Sequence, residues 1–293
     1  MNYSENILKP GLNTRPDAVA ITYITEGMKT IRRLTFTELE NEVSVWVSKL
    51  KSLDLRCGDR IAGKFVHINR CTADNSEVVL SNSIECLAIF LAAASIGAVF
   101  SSSSPDMGST AILNRYQQLQ PKVLVFQTET VYNGKTINLL PKCQEVYSKL
   151  SKVCSGLTAT IVFGSGELLG SSIYKADDIK VSHDRSRDSI SYTQLPFDHP
   201  IYVLYSSGTT GPPKCIVHSA GGVLLHQKKE LTLHNDLGPR STLYQYTTTG
   251  WMMWNWMIVG LSVGASIVIY DGSPLVPTPK SQLAIIFRFG YAI

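Results

Sequence analysis

The chain is a succession of short β-branched apolar runs and longer segments with helical spacing. Residues 18–24, "AVAITYI", read as a strand. Thr35 and Glu38 then stand at capping-box spacing, and Phe36, Leu39, Val43, Trp46, Val47 and Leu50 recur at helical intervals, which predicts a helix with one core face. "CGDRIAGKFV" (57–66) predicts a turn and a strand, and "CTADNSEVVLSNS" (71–83) a polar connection. Two long apolar runs, 84–100 and 252–270, fall short of a membrane span, which needs ~20 uninterrupted apolar residues. The first is short and carries Glu85; the second is broken by Asn255, Gly260 and Gly264. Each reads instead as a buried helix, a glycine turn and a strand. "TAILNRYQQLQP" (110–121) predicts a helix, "KVLVFQ" (122–127) and "ATIVFGSGELLG" (159–170) strands, and "HPIYVLYSSG" (199–208) a strand running into a loop with a helix, "AGGVLLHQKKELTLH" (220–234), behind it. "STLYQYTTTG" (241–250) is strand-like and "ASIVIYDGSP" (265–274) closes the series. Residues 128–200 are the least regular part. The alternation predicts an α/β fold of mostly parallel sheets flanked by helices. A sheet ending at the strand before Gly272 would have an open edge there.

The composition changes this picture little. Of 293 residues, 44% are apolar and 17% charged, which fits a folded domain and excludes general disorder. The formal charge of +4 and the lack of a long Lys/Arg block give no nucleic-acid footprint; the densest basic patch, "HQKKE" (226–230), reads as a solvated helix face. The six cysteines form no C-x-x-C pair and the histidines no close metal spacing. The first seventeen residues lack the apolar core of a secretory signal, so a reducing cytosolic setting is expected, with the sequon at Asn2 carrying no sugar.

The chemistry concentrates in "YSSGTTGPPK", residues 205–214. Gly208 and Gly211 allow backbone N–H groups to converge on an anion. Ser206, Ser207, Thr209 and Thr210 add hydroxyls, Thr209 or Thr210 could help ligate Mg²⁺, and Lys214 adds a mobile positive charge. The spacing is not that of a Walker loop, because Pro212 and Pro213 separate glycine from lysine and Cys215 follows it. A plain Ser/Gly linker is the bland alternative, and it explains neither the buried strand before the loop nor its Pro-Pro-Lys end. "GSGELLG" (164–170) imitates a dinucleotide fingerprint with one residue too many, and is read as a loop, with a dehydrogenase as the alternative.

"VLYSSGTTGPPK" (203–214) resembles the signature of the adenylate-forming enzymes, the AMP-dependent synthetase/ligase superfamily of acyl-CoA synthetases, luciferases and peptide-synthetase adenylation domains. "NYSENIL" (2–8), "LAAASIGAVFSSSSPDMG" (91–108), "YNGK" (132–135), "CIVHSAGG" (215–222), "YTTTGWMMWNWM" (246–257) and "YDGSPLVP" (270–277) are similar to its acetoacetyl-CoA synthetase branch, interrupted by a dissimilar stretch near 66–83. The resemblance implies that the loop grips the β- and γ-phosphates of ATP while a substrate carboxylate attacks the α-phosphate. The acyl-adenylate then passes to CoA, in ketone-body and lipid metabolism. It implies acetoacetate, ATP and CoA as substrates, with Mg²⁺. It also places the acyl group in the aromatic region, where Trp251, Met252 and Met253 would wall a short slot while Trp254 and Met257 suit the core.

The resemblance further implies that 1–279 correspond to part of an N-terminal domain and 280–293 to a divergent tail. The domain carrying the catalytic lysine is absent, so no catalytic residue is assigned and the chain alone is expected to be inactive. The last fourteen residues, "KSQLAIIFRFGYAI", show no cap, turn or finished element. Another short-chain acyl-CoA synthetase and a non-catalytic nucleotide-binding fragment remain the alternative readings.

Overall fold

The computed structural model describes residues 1–57, 59–61, 74–104, 107–182, 189–206 and 212–289. Helix α1 (Tyr3–Thr14) has no counterpart in the pattern, because Pro10 and Gly11 interrupt its spacing. Gly11 is needed there, since a Cβ would sit within 2.1 Å of the Phe36 ring. Asn2 caps the helix by accepting the Glu5 N–H at 3.1 Å, and its amide donates to the carbonyls of Ala94, Ser95 and Thr193. Its side chain is therefore buried and the sequon is closed to modification.

Strands β1 (Val19–Thr25) and β2 (Ile31–Thr35) pair antiparallel and lead into α2 (Phe36–Ser52). The capping box is formed: Thr35 Oγ1 accepts the Glu38 N–H at 3.1 Å and Glu38 Oε2 accepts the Thr35 N–H at 2.7 Å. All six apolar residues expected on its core face are buried.

Strand β3 (Asp59–Ile61) is the start of the strand expected after Cys57; the rest of that stretch lies outside the described residues. The connection expected over 71–83 is a correction. It contains β4 (Asp74–Val79), an inner strand paired parallel with β3 and with later strands. Its polar first half conceals it, because inner position is set by neighbouring strands and not by local composition.

Helix α3 (Ile84–Ile96) starts at Ser83, whose Oγ accepts the Cys86 N–H at 3.2 Å, and stops at Gly97 with φ 83°. It is followed by β5 (Val99–Ser102), α4 (Ser109–Leu119) and β6 (Val123–Gln127). The region expected to be irregular holds the hairpin β7 (Glu129–Tyr132) and β8 (Lys135–Asn138), helix α5 (Leu140–Val153), strands β9 (Ala159–Phe163) and β10 (Ile173–Lys175), and helix α6 (Ala176–Ser182). Then come β11 (Pro200–Ser206), β12 (Lys214–Ser219), α7 (Ala220–Lys229), β13 (Thr242–Tyr244), α8 (Met252–Ile258), β14 (Ser266–Asp271) and α9 (Ser281–Phe289).

Two sheets result. The larger runs β10-β9-β6-β4-β3-β5-β11-β12 and is parallel except for the edge strand β12. The smaller runs β13-β14-β1-β2. Strand β14 is thus paired on both sides, with β13 and β1, and the open edge expected at this strand does not exist. Residues 281–289, left without an element by the pattern, form α9, whose Ile285 is buried against Ile24, Tyr244, Val268 and Tyr270.

One apolar cluster joins the layers. It contains Ile21, Ile267 and Ile269 of the small sheet, Phe100, Val125 and Ile161 of the large one, and nearly all of α3. Within it the Phe90 ring packs on Tyr3, Phe100, Tyr202 and Trp254 at centroid distances of 4.9–6.2 Å. Trp254 and Met257 are fully buried, as expected.

Asn82 ties the layers together. Its Oδ1 accepts the Trp254 indole N–H at 2.8 Å, and its Nδ2 donates to the carbonyls of Tyr270 at 3.2 Å and Thr247 at 3.4 Å. Asn82→Ala should leave the indole donor unpaired in the core. The expected loss is roughly 2–4 kcal/mol of stability, read as a lower urea midpoint. An unchanged midpoint would refute this role for Asn82.

Candidate functional site

The polar loop springs from the β11–β12 hairpin. Ser206 and Lys214 face one another in register at its mouth, Ser206 half-buried and Lys214 exposed. Ser207, Gly208, Thr209, Thr210 and Gly211 lie outside the described residues. The sequence reading did not place β12. Its antiparallel pairing brings the lysine back beside the end of the entering strand. Helix α4 braces the loop from the side: Gln118 Nε2 donates to the Pro213 carbonyl at 3.1 Å, the Tyr205 hydroxyl donates to the Arg115 carbonyl at 3.3 Å, and the Arg115 guanidinium lies 5.2 Å from the Tyr205 ring centre.

The aromatic turn sits beside the same strand. Trp251, Met252 and Met253 at the start of α8 are 66%, 36% and 40% exposed, so they form surface above the buried Trp254. Met252 Sδ lies 3.8 Å from the Tyr202 hydroxyl of β11. The strand that enters the polar loop therefore touches the turn expected to wall the acyl slot. The segment before the turn is held from beneath, with Ser102 Oγ donating to the Thr249 carbonyl and Thr249 Oγ1 donating to the Leu80 carbonyl.

A cavity of about 460 Å³ opens at the carboxyl ends of the strands, where α/β folds bind ligands. Residues 80–82 after β4, 246–249 after β13 and 270–272 at the end of β14 form its floor, and the β7–β8 hairpin forms one wall. Trp251, Met252 and Met253 do not line it; they lie beyond Thr249 on the same segment. Sequence reasoning missed two acidic residues here. Glu26 is buried and accepts the N–H groups of Asn133 at 2.7 Å, Gly134 at 2.5 Å and Ser273 at 2.7 Å, fastening the hairpin to the small sheet. Gly272, with φ 126°, must be glycine, since a Cβ would come within 2.4 Å of Glu26 Cβ. Asp271 lines the cavity and accepts from the Tyr23 hydroxyl at 3.4 Å. A carboxylate closing an otherwise apolar strand was the available signal for Asp271; nothing local distinguishes Glu26.

Burial pushes the Asp271 carboxyl up to about 6, against hydrogen bonds from Ser81 and Tyr23 that favour its charged form. Burial likewise raises the Tyr23 phenol, with the Asp271 charge as the next cause.

The remaining candidates are packing features. In "GSGELLG", Gly164 turns at φ 102° and Gly170 lies against the Tyr147 ring, where a Cβ would approach to 2.2 Å. These glycines fit close side chains, not a pyrophosphate. His226, Lys228 and Lys229 of the basic patch are exposed as expected, but Gln227 between them is buried. No group of three or more His, Cys, Asp or Glu placed to hold a metal occurs among the described residues.

Comparison with known proteins agrees with this arrangement. The profile of the family described as AMP-binding enzyme matches residues 9–291. Acetoacetyl-CoA synthetase of Gallus gallus is 38% identical over 297 residues, covering 100% of this chain and 42% of the relative. Malonamoyl-CoA synthetase of Penicillium aethiopicum is 33% identical over 290 residues, covering 96% of this chain and 38% of the relative. The solved acetoacetyl-CoA synthetase from Streptomyces lividans superposes with a TM-score of 0.85 at 35% identity, covering 99% of this chain and 41% of that one. The chain thus spans about two fifths of the length of these relatives.

The neutral Asp271 carboxyl is favoured in the folded chain. Between about pH 4 and pH 6 the folded protein keeps a proton that the unfolded chain has lost, so this group makes stability fall as pH rises through that window. Asp271→Asn should remove the effect. Its stability relative to the unsubstituted chain should rise between pH 4 and pH 7 by up to about 3 kcal/mol, measured by urea denaturation at each pH. A difference independent of pH would contradict the raised carboxyl.

Proposed function

The chain belongs to the AMP-binding enzyme family, and we propose that it serves ATP-dependent ligation of acetoacetate, or a closely related short 3-oxo acid, to CoA. The contact between Tyr202 and Met252 supports this reading best, because an acid slot walled by Met252 would lie beside the strand that leads into the polar loop. A carboxylate in that slot stands next to the triphosphate it must attack. The names of the relatives support the acid class: acetoacetyl and malonamoyl groups are both short and both carry a carbonyl at C3.

In the proposed reaction a carboxylate oxygen attacks the α-phosphorus and pyrophosphate leaves, giving the acyl-adenylate. The CoA thiol then attacks the acyl carbon and AMP leaves. Activation is needed because a free carboxylate is a poor acyl donor. Negative charge on the phosphates is met by Ser206, Ser207, Thr209, Thr210, the amides around Gly208 and Gly211, and Lys214. Bound Mg²⁺ would neutralise phosphate charge, with Thr209 or Thr210 as the hydroxyl to hold it. Trp251, Met252 and Met253 limit acid length.

No helix among the described residues is long and apolar enough to cross a membrane. A cytosolic setting suits the free, buried thiols of Cys86 and Cys143.

In the intact protein carrying this sequence, Lys214→Ala should slow acetoacetate-dependent ATP–pyrophosphate exchange by the equivalent of about 2–4 kcal/mol, with a smaller change in acid KM. Equal exchange rates would remove Lys214 from the phosphate site. Met252→Gly should shift preference toward a six-carbon acid by roughly 1 kcal/mol per added methylene, measured as relative kcat/KM. An unaltered preference would take Met252 out of the slot.

A further inference from the structure

We propose that Gln227 and Tyr202 recognise the C3 carbonyl of the acid and so set the preference for a 3-oxo acid over its saturated counterpart. This rests on the acid slot described under the proposed function and names the residues that read the substrate within it.

Gln227 lies on α7 between the exposed His226 and Lys228, yet it is 3% exposed, because its side chain turns inward beneath Met252. Its Nε2 donates to the Tyr202 hydroxyl at 3.3 Å and approaches Met252 Sδ at 3.6 Å. Its Oε1 finds no partner among the described residues. A buried amide group without a partner costs about 1–3 kcal/mol, so its retention calls for a physical reason.

The partners that are present are poor ones. The Tyr202 hydroxyl and the Gln227 amide both direct hydrogens at the Met252 thioether, a weak acceptor. Rotating the amide by half a turn does not resolve this. Oε1 would then accept from the Tyr202 hydroxyl, and Nε2 would take the place where no partner stands. In either orientation one polar group beneath the slot is unmatched.

A carbonyl oxygen reaching this point from the slot would complete the set. With the amide turned, Oε1 holds the tyrosine hydroxyl and Nε2 donates to the carbonyl. Burial raises the Tyr202 phenol, so it remains a donor at neutral pH. Met252 is unbranched and 36% exposed, so it can swing aside without disturbing the core. An acid that has a methylene at C3 offers no acceptor and leaves the pair unsatisfied, the situation in which polar sites discriminate most strongly.

The test compares acetoacetate with butyrate, which has the same carbon chain and no carbonyl at C3. In the intact protein, kcat/KM is measured for both acids with the unsubstituted sequence, Gln227→Met and Tyr202→Phe. The acetoacetate-to-butyrate ratio should fall at least tenfold in each variant. Urea denaturation of the 293-residue chain should show Gln227→Met no less stable than the unsubstituted chain, because the unmatched amide is gone. A ratio that changes less than tenfold, with losses shared by both acids, makes Gln227 a structural residue and overturns the proposal. Failure of the unsubstituted protein to activate acetoacetate overturns the proposed function, and the recognition of its carbonyl falls with it.

Discussion

The burial of α3 is the constraint on which the other elements depend. Residues 84–96 are apolar on every side and all but Glu85 are enclosed, so this helix cannot rest on a surface. It needs cover in all directions. Helices α1 and α2, the strands of the large sheet and the Trp254 region supply it within one cluster. Phe90 marks the point where these contributions meet, with rings from α1, β5, β11 and α8 around it. Removing any one layer would expose apolar surface worth about 25 cal/mol per Å².

The functional surface follows from that core. The start of α3 lies at the carboxyl end of β4, and Asn82 there bonds to segments after β13 and at the end of β14. The loops of both sheets are thereby gathered around one cavity. Glu26 repeats the device from the small sheet by holding three backbone N–H groups of the β7–β8 hairpin and of the loop after β14. Buried polar groups with a full set of partners make such junctions specific, because any other arrangement leaves them unpaired. Gln227 is an exception to that completeness, and it lies against Met252.

The sequence alone determined the alternation of strands and helices, the capping box at Thr35, the core face of α2 and the stop at Gly97. Each depends on neighbours in the chain: hydrophobic period, cap chemistry and glycine conformation are local properties. The resemblance of residues 203–214 and the flanking motifs pointed to the family for the same reason, since each motif is a run of consecutive residues. What only the tertiary structure decided was which residues stand together across the chain. The polar start of β4 becomes an inner strand because β5 and β6 lie alongside the element, and β14 is paired on both sides because residues from the beginning of the chain return to it. Glu26, Asp271 and Gln227 acquire their roles from partners 25 to 248 residues away. Such pairings follow from the packing of whole layers, where burial and hydrogen-bond completion are settled together, and no local pattern encodes them.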